Sequence, residues 1–273
     1  MDVLKRHNVK VSGRGSTPML FAHGFGCDQN MWRLIVPAFE GEYRTIVFDY
    51  VGHGQSDLAA YDRQKYSTLD GFTDDVLEIC RKMELRDVIF VGHSVSAVIG
   101  IMAALREPQR FKCLILIGPS PCYINEGDYV GGFTRQSIDE LLEFLDTNHL
   151  GWSSAMAPVI MANADRPELG AELTNSFCRT DPEVAKQFAR VTFLSDSRAD
   201  LPRLATPSLI LQCSQDVIAP QCVGEYVHRQ LPNSRLKHLH ATGHCPHLSE
   251  PAETVAAIKE YLATQQGETA HGG

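Results

Sequence analysis

The sequence predicts an α/β fold with a mostly parallel central sheet flanked by helices, on three observations. Short apolar runs rich in β-branched residues recur along the chain and end in glycine or a polar turn. The runs are continuously apolar rather than alternating, as strands buried on both faces of a parallel sheet are. Amphipathic helical patterns lie between them, as right-handed crossovers require.

The elements follow in order. Met19–His23 and Thr45–Tyr50 read as strands. Phe72, Val76, Ile79, Cys80 and Met83 fall on one face of a helix. Val88–Gly92 is a strand running straight into a second helix marked by Val95, Val98, Ile99 and Met102, and Cys113–Gly118 is the next strand. From Ile124 to Asp196 the pattern breaks: no strand is evident and about four helices fill the space. One carries Ile138, Leu141, Leu142 and Leu145; another follows Asp165 with Pro167, Leu169, Leu173 and Phe177. A third starts at Thr180-Asp-Pro-Glu183, which reads as a capping box with proline in the first turn. Strand patterns return at Ser208–Cys213 and Leu236–His240, followed by a helix with Val255, Ile258 and Leu262. The polar segment Gln265–Gly273 reads as a frayed end. The chain thus divides into a core, 1–123 and 197–273, and an inserted four-helix lid, 124–196.

With 273 residues the chain can bury a full core without disulfides. Twenty-five basic against 33 acidic residues give a net charge of −8, which argues against a nucleic-acid partner. No apolar run follows a basic start at the N-terminus, and Ala97–Leu105 is too short to span a bilayer, so no membrane is expected and the compartment read is cytoplasmic. The eight cysteines show no C-x-x-C pair and read as reduced thiols.

The chemistry concentrates at strand ends. Gly92-His93-Ser94-Val95-Ser96 joins a buried strand to a helix, the setting of a nucleophile elbow, with Ser96 where the second glycine is usual. A serine hydroxyl needs a base, and the base an orienting acid. Asp216 follows the strand Ser208–Cys213, and His244 follows the last strand behind Gly243. Ser94, Asp216 and His244 therefore stand in the order this architecture uses. Asp196 and Asp200 are rival acids near the exit of the insertion, and His247 is the rival base. His23-Gly24-Phe25-Gly26 closes the first strand, so the Phe25 and Val95 N–H groups are the candidate oxyanion donors. The Gly52–Asp57 loop lacks a phosphate-cradling pattern and reads as structural. His238, His240, His244, Cys245 and His247 lack the spacing of a zinc site, and no metal or cofactor is expected.

These residues together resemble the α/β-hydrolase superfamily. His-Gly-Phe-Gly-Cys-Asp-Gln at 23–29, Gly-His-Ser-Val-Ser-Ala at 92–97, Gly-Gly-Phe at 131–133, Phe-Leu-Ser-Asp at 193–196 and Gly-His-Cys-Pro-His at 243–247 narrow the likeness. They resemble the subfamily of RsbQ-type stress-response regulators and plant karrikin and strigolactone receptors. The resemblance implies a four-helix lid over an apolar pocket lined by Phe25, Phe133, Trp152 and Phe193, with Tyr123 and Met156 as further candidates. The expected activity is cofactor-independent hydrolysis of a small hydrophobic ester or lactone. The alternative is a ligand-responsive regulator with slow hydrolysis and a signalling protein partner at the lid. Haloalkane dehalogenation and epoxide hydrolysis would want an Asp at position 94; carbon–carbon hydrolysis and perhydrolysis remain compatible with a serine triad.

Overall fold

The computed structural model describes residues 2–270, without the side chains of 266–270. Its elements in chain order are α1 (Val3–Arg6), β1 (Lys10–Ser12), β2 (Pro18–Ala22), β3 (Arg44–Val47), α2 (Leu69–Lys82), β4 (Val88–His93), α3 (Val95–Arg106) and β5 (Phe111–Ile117). Four helices follow: α4 (Arg135–Thr147), α5 (His149–Met161), α6 (Pro167–Arg179) and α7 (Pro182–Phe193). The chain then continues through β6 (Ser208–Gln215), α8 (Gln221–Gln230), β7 (Ser234–Thr242), α9 (Pro246–Ser249) and α10 (Pro251–Ala270).

The seven strands form one sheet in the order β1-β3-β2-β4-β5-β6-β7. Only β1 runs antiparallel to its neighbour. Side chains alternate between two apolar layers, which is why the strand sequences are continuously apolar. Met19, Phe21, Ile89, Val91, Ile115 and Ile117 enter one layer with Trp32 and the α10 residues Ile258 and Leu262. Leu20, Ala22, Phe90, Leu114 and Leu116 enter the other, with α2, α3 and Val227 of α8.

The insertion leaves and rejoins the sheet through a narrow neck. Cys122 forms an antiparallel bridge with Asp196, and the Ser197 N–H donates to the Pro121 carbonyl at 2.8 Å. From there α4–α7 pack over the strand ends on the side of Phe25 and Tyr123, and Ile138, Leu142, Leu145, Leu173 and Phe177 join the first apolar layer.

Two local expectations are corrected, and one element has no counterpart in the sequence reading: the edge strand β1, whose three residues are all exposed. The cap of α7 is Asp181 rather than Thr180: its carboxylate accepts from the Glu183 and Val184 N–H groups, with Pro182 in the first turn. The helical backbone of α10 continues through Ala270 instead of fraying from Gln265, and 271–273 lie outside the described residues. Among the described residues no helix is long and apolar enough to cross a membrane.

Candidate active site

Three strand ends meet at Ser94. Strand β4 delivers it into a tight turn with φ 56° and ψ −123°, a conformation that costs a non-glycine residue about 1–3 kcal/mol. The surroundings hold it there: the Ser94 N–H donates to the Ile117 carbonyl at 2.8 Å, and the Ser94 carbonyl accepts from Ala97 at 2.9 Å. The Oγ lies 2.8 Å from His244 Nε2. His244 Nδ1 lies 2.7 Å from Asp216 Oδ2. A carboxylate can only accept, so the imidazole proton sits on Nδ1 and the Nε2 lone pair faces the serine hydroxyl. The other Asp216 oxygen accepts from the Ile218 and Ala219 N–H groups at 2.8 and 3.0 Å, which fixes the carboxylate plane. All three side chains are buried.

The loop that carries His244 is tied to the insertion. Its N–H donates to the Ile160 carbonyl in the last turn of α5 at 2.9 Å. Gly243 before it has φ 79°, and a Cβ there would stand 2.0 Å from the Met161 carbonyl oxygen, so only glycine allows this approach. Underneath, His93 Nε2 lies 2.8 Å from the His244 carbonyl, to which it must donate. Burial pushes the His93 pKa well below its ordinary value, so the ring is neutral.

The two expected oxyanion donors are the Val95 and Phe25 N–H groups. Val95 is the first residue of α3, where an N–H has no intrahelical acceptor. The Phe25 N–H makes no hydrogen bond among the described residues. A Cβ on the preceding Gly24 would lie 3.4 Å from Ser94 Cβ and 2.6 Å from His93 Nδ1. The Gly24 backbone thus packs against the side chains of Ser94 and His93.

The rival residues are engaged elsewhere. Asp196 pairs with Arg198, which also binds Glu126, and Asp200 pairs with Arg203. His247 is wholly buried against Trp32 and His93, with ring centroids 4.8 and 4.6 Å away, and neither ring nitrogen has a hydrogen-bond partner among the described residues. His93, Cys245 and His247 offer ligand-type atoms within 4.8 Å of one another, whereas His238 and His240 are exposed on β7. The Gly52–Asp57 loop wraps the buried Asp49, whose carboxylate accepts from the Gln29 and Gln55 N–H groups at 2.8 and 3.0 Å.

Ser94 opens into an apolar cavity of about 30 Å³ under the insertion. Phe25, Tyr123 and Phe193 line it, as the resemblance implies, together with Cys27, Ile160, Leu173, Phe177, Thr192 and Ile218. Trp152 stands one layer back, edge-on to Phe25 with centroids 5.8 Å apart and stacked on Phe177 at 5.5 Å. Phe133 and Met156 are half-buried and lie outside the cavity wall. The Phe133 backbone is tethered to the neck, its N–H donating to the Tyr123 carbonyl at 3.1 Å. Phe177, Leu173 and Ile160 fall on helical stripes that sequence cannot distinguish from ordinary core. Of two buried hydroxyls of the wall, Thr192 Oγ1 has no hydrogen-bond partner among the described residues, and Tyr123 Oη makes none of ordinary geometry but lies within interaction range of the Ser94 side chain. Burial raises the Tyr123 pKa, so its hydroxyl remains a donor facing the cavity.

Residues 19–258 match the alpha/beta hydrolase family. The chain is 36% identical over 262 residues to strigolactone esterase D14 of Arabidopsis thaliana, covering 96% of this chain and 98% of that protein. It is 34% identical over 261 residues to karrikin insensitive 2 receptor CA of Petunia hybrida, covering 95% and 97%. A solved hydrolase from Oleispira antarctica superposes with a TM-score of 0.94 at 43% identity, covering 96% of each chain.

Proposed function

The chain belongs to the alpha/beta hydrolase family, and on that premise we propose that it is a cofactor-independent serine hydrolase acting on a small, mostly apolar ester or lactone. The observation that carries this reading is the unbroken array Ser94–His244–Asp216, with separations of 2.8 and 2.7 Å, beside a small apolar cavity. His244 Nε2 takes the hydroxyl proton as Ser94 Oγ bonds to the carbonyl carbon, and Asp216 stabilises the imidazolium. The Phe25 and Val95 N–H groups receive the oxyanion. Collapse of the tetrahedral species breaks the bond to the leaving oxygen, which takes the proton from His244. A water then gives its proton to His244 and attacks the acyl carbon, releasing the acid and restoring Ser94. With a lactone the leaving alcohol stays attached to the acyl group.

In this reading residues 124–196 act as a lid, and the unpartnered Thr192 hydroxyl, with the Tyr123 hydroxyl beside Ser94, receives polar atoms of the substrate. A fluorophosphonate probe tests the nucleophile. Labelling is expected on the peptide containing Ser94; labelling elsewhere, or none, overturns the assignment. The cavity also sets an expectation for acyl size, since about 30 Å³ holds little more than a water. p-Nitrophenyl acetate should exceed the octanoate in kcat/KM by roughly tenfold or more, because each further methylene must displace packed aromatic side chains. Equal values for the two esters would contradict this narrow pocket.

The likeness to a karrikin insensitive 2 receptor favours a second reading, ligand-responsive signalling with slow hydrolysis and a protein partner at the lid. Leu150 and Val159 of α5, 61% and 51% exposed, offer such a partner apolar surface. Fast multiple turnover, with no ligand-dependent shift in melting temperature and no ligand-dependent partner, would favour plain catalysis.

A further inference from the structure

Ser96 stands where the elbow pattern usually has its second glycine, and it is wholly buried. Its Oγ hydrogen-bonds the His23 carbonyl oxygen and the Tyr50 hydroxyl, the latter at 2.9 Å. A carbonyl oxygen only accepts, so the single Ser96 proton goes to His23, and the Tyr50 hydroxyl must donate to Ser96. The ring of His23 is fixed by the same reasoning. The Tyr50 N–H donates to its Nε2 at 3.2 Å, which leaves the ring proton on Nδ1, where it donates to the Gly24 carbonyl at 2.9 Å. The Gly24 carbonyl and the Phe25 N–H belong to one planar peptide unit, so a bond that orients the first orients the second. His23 is thus held through its main-chain carbonyl by Ser96, while its ring holds the peptide beside Ser94.

We propose that Ser96 is a positioning residue: with Tyr50 as its donor and His23 as its link, it fixes the Gly24–Phe25 peptide so that the Phe25 N–H meets the oxyanion. This rests on the serine-hydrolase reading above. A glycine at 96 leaves the His23 carbonyl and the Tyr50 hydroxyl buried without a partner. It also removes the middle of a hydrogen-bond chain whose members polarise one another. A donor aimed at charge that exists only in the transition state affects kcat and leaves ground-state binding nearly unchanged.

The test compares wild type, Ser96→Gly and Ser96→Ala. The readouts are kcat and KM on p-nitrophenyl acetate, the inhibition constant of phenylboronic acid, which forms a tetrahedral adduct on Ser94, and the melting temperature. In folded variants kcat should fall about ten- to a hundredfold, part of the loss seen when an oxyanion donor is deleted, with KM within about twofold. Boronate affinity should weaken by the same factor as kcat/KM. A kcat within about twofold of wild type overturns the proposal, as does a loss of kcat with unchanged boronate affinity, which is what general loosening of the fold would give. If neither Ser96 variant folds, Tyr50→Phe carries the test: it removes only the donor to Ser96, and unchanged kcat there overturns the proposal. Wild-type turnover that survives Ser94→Ala refutes the hydrolase reading itself and takes this proposal with it; a Ser94-dependent wild type with unaffected Ser96 variants refutes the proposal alone.

Discussion

Ser94→Ala is expected to lower kcat for a p-nitrophenyl ester by about 10⁵–10⁶, and His244→Ala by a similar factor, with KM little changed. The two act as one unit, because the hydroxyl is a competent nucleophile only while Nε2, 2.8 Å away, can take its proton. The double variant should therefore be no worse than either single one. Asp216→Asn is expected to cost about 10⁴, since an amide in place of the acceptor-only carboxylate turns the imidazole to the wrong tautomer. Its Ile218 and Ala219 contacts go to the oxygen that does not face His244 and could survive in the amide, so the fold should be retained. Steady-state kinetics on the four proteins decide the matter. Turnover that persists in Ser94→Ala would show that another residue performs the chemistry.

Acidification is expected to unfold the protein well before its carboxylates are all protonated. Burial lowers the pKa of His7 to about 4, of His53 to about 3 and of His247 to about 3, and also lowers those of His23 and His93. The unfolded chain titrates these groups near 6.5. Above that value neither state binds the protons and full stability is present. As the pH falls from about 6.5 toward 4, the unfolded chain takes up protons that the native state refuses, and stability drops by about 1.4 kcal/mol per group per pH unit. Asp75 works the other way. Burial raises its pKa to about 6, so between about 6 and 4 the native state binds a proton first and offsets one histidine. The net effect of several groups is large against a typical stability of about 5–15 kcal/mol. The melting temperature should be nearly flat from pH 8 to 7 and fall by about 10 °C or more between pH 7 and 5. His247→Phe should reduce the slope by one group. Calorimetry showing the same melting temperature at pH 5 and pH 7 would refute this account.

What could be read from the sequence follows from where each residue sits. The inner strands were legible because burial on both faces writes an uninterrupted apolar run, as in Ile89–Val91 and Leu114–Ile117. β1 was not, because a three-residue edge strand with Val11 47% exposed needs no pattern. Ser94, Asp216 and His244 stood out because each follows a strand in a fixed order, and the structure brings their side chains together. The cavity wall was only partly legible: Phe25 and Phe193 sit in recognisable motifs, whereas Leu173 and Phe177 differ from core residues only by the direction α6 faces after folding. Ser96 was visible as a departure from glycine. Its partners, however, come from the ends of two other strands, and no local pattern encodes them.

The bond from the His244 N–H to the Ile160 carbonyl makes entry and reactivity interdependent. Any substrate that wedges the last turn of α5 outward must break it, at a net cost of about 1 kcal/mol, and in doing so frees the backbone of the base it is about to use. A bulky guest therefore meets two penalties from one displacement: the work of parting packed helices, and a base held less firmly at 2.8 Å from its serine. Under the proposed function, selectivity for size would then be read twice, once at the opening of α5 and once in the proton transfer.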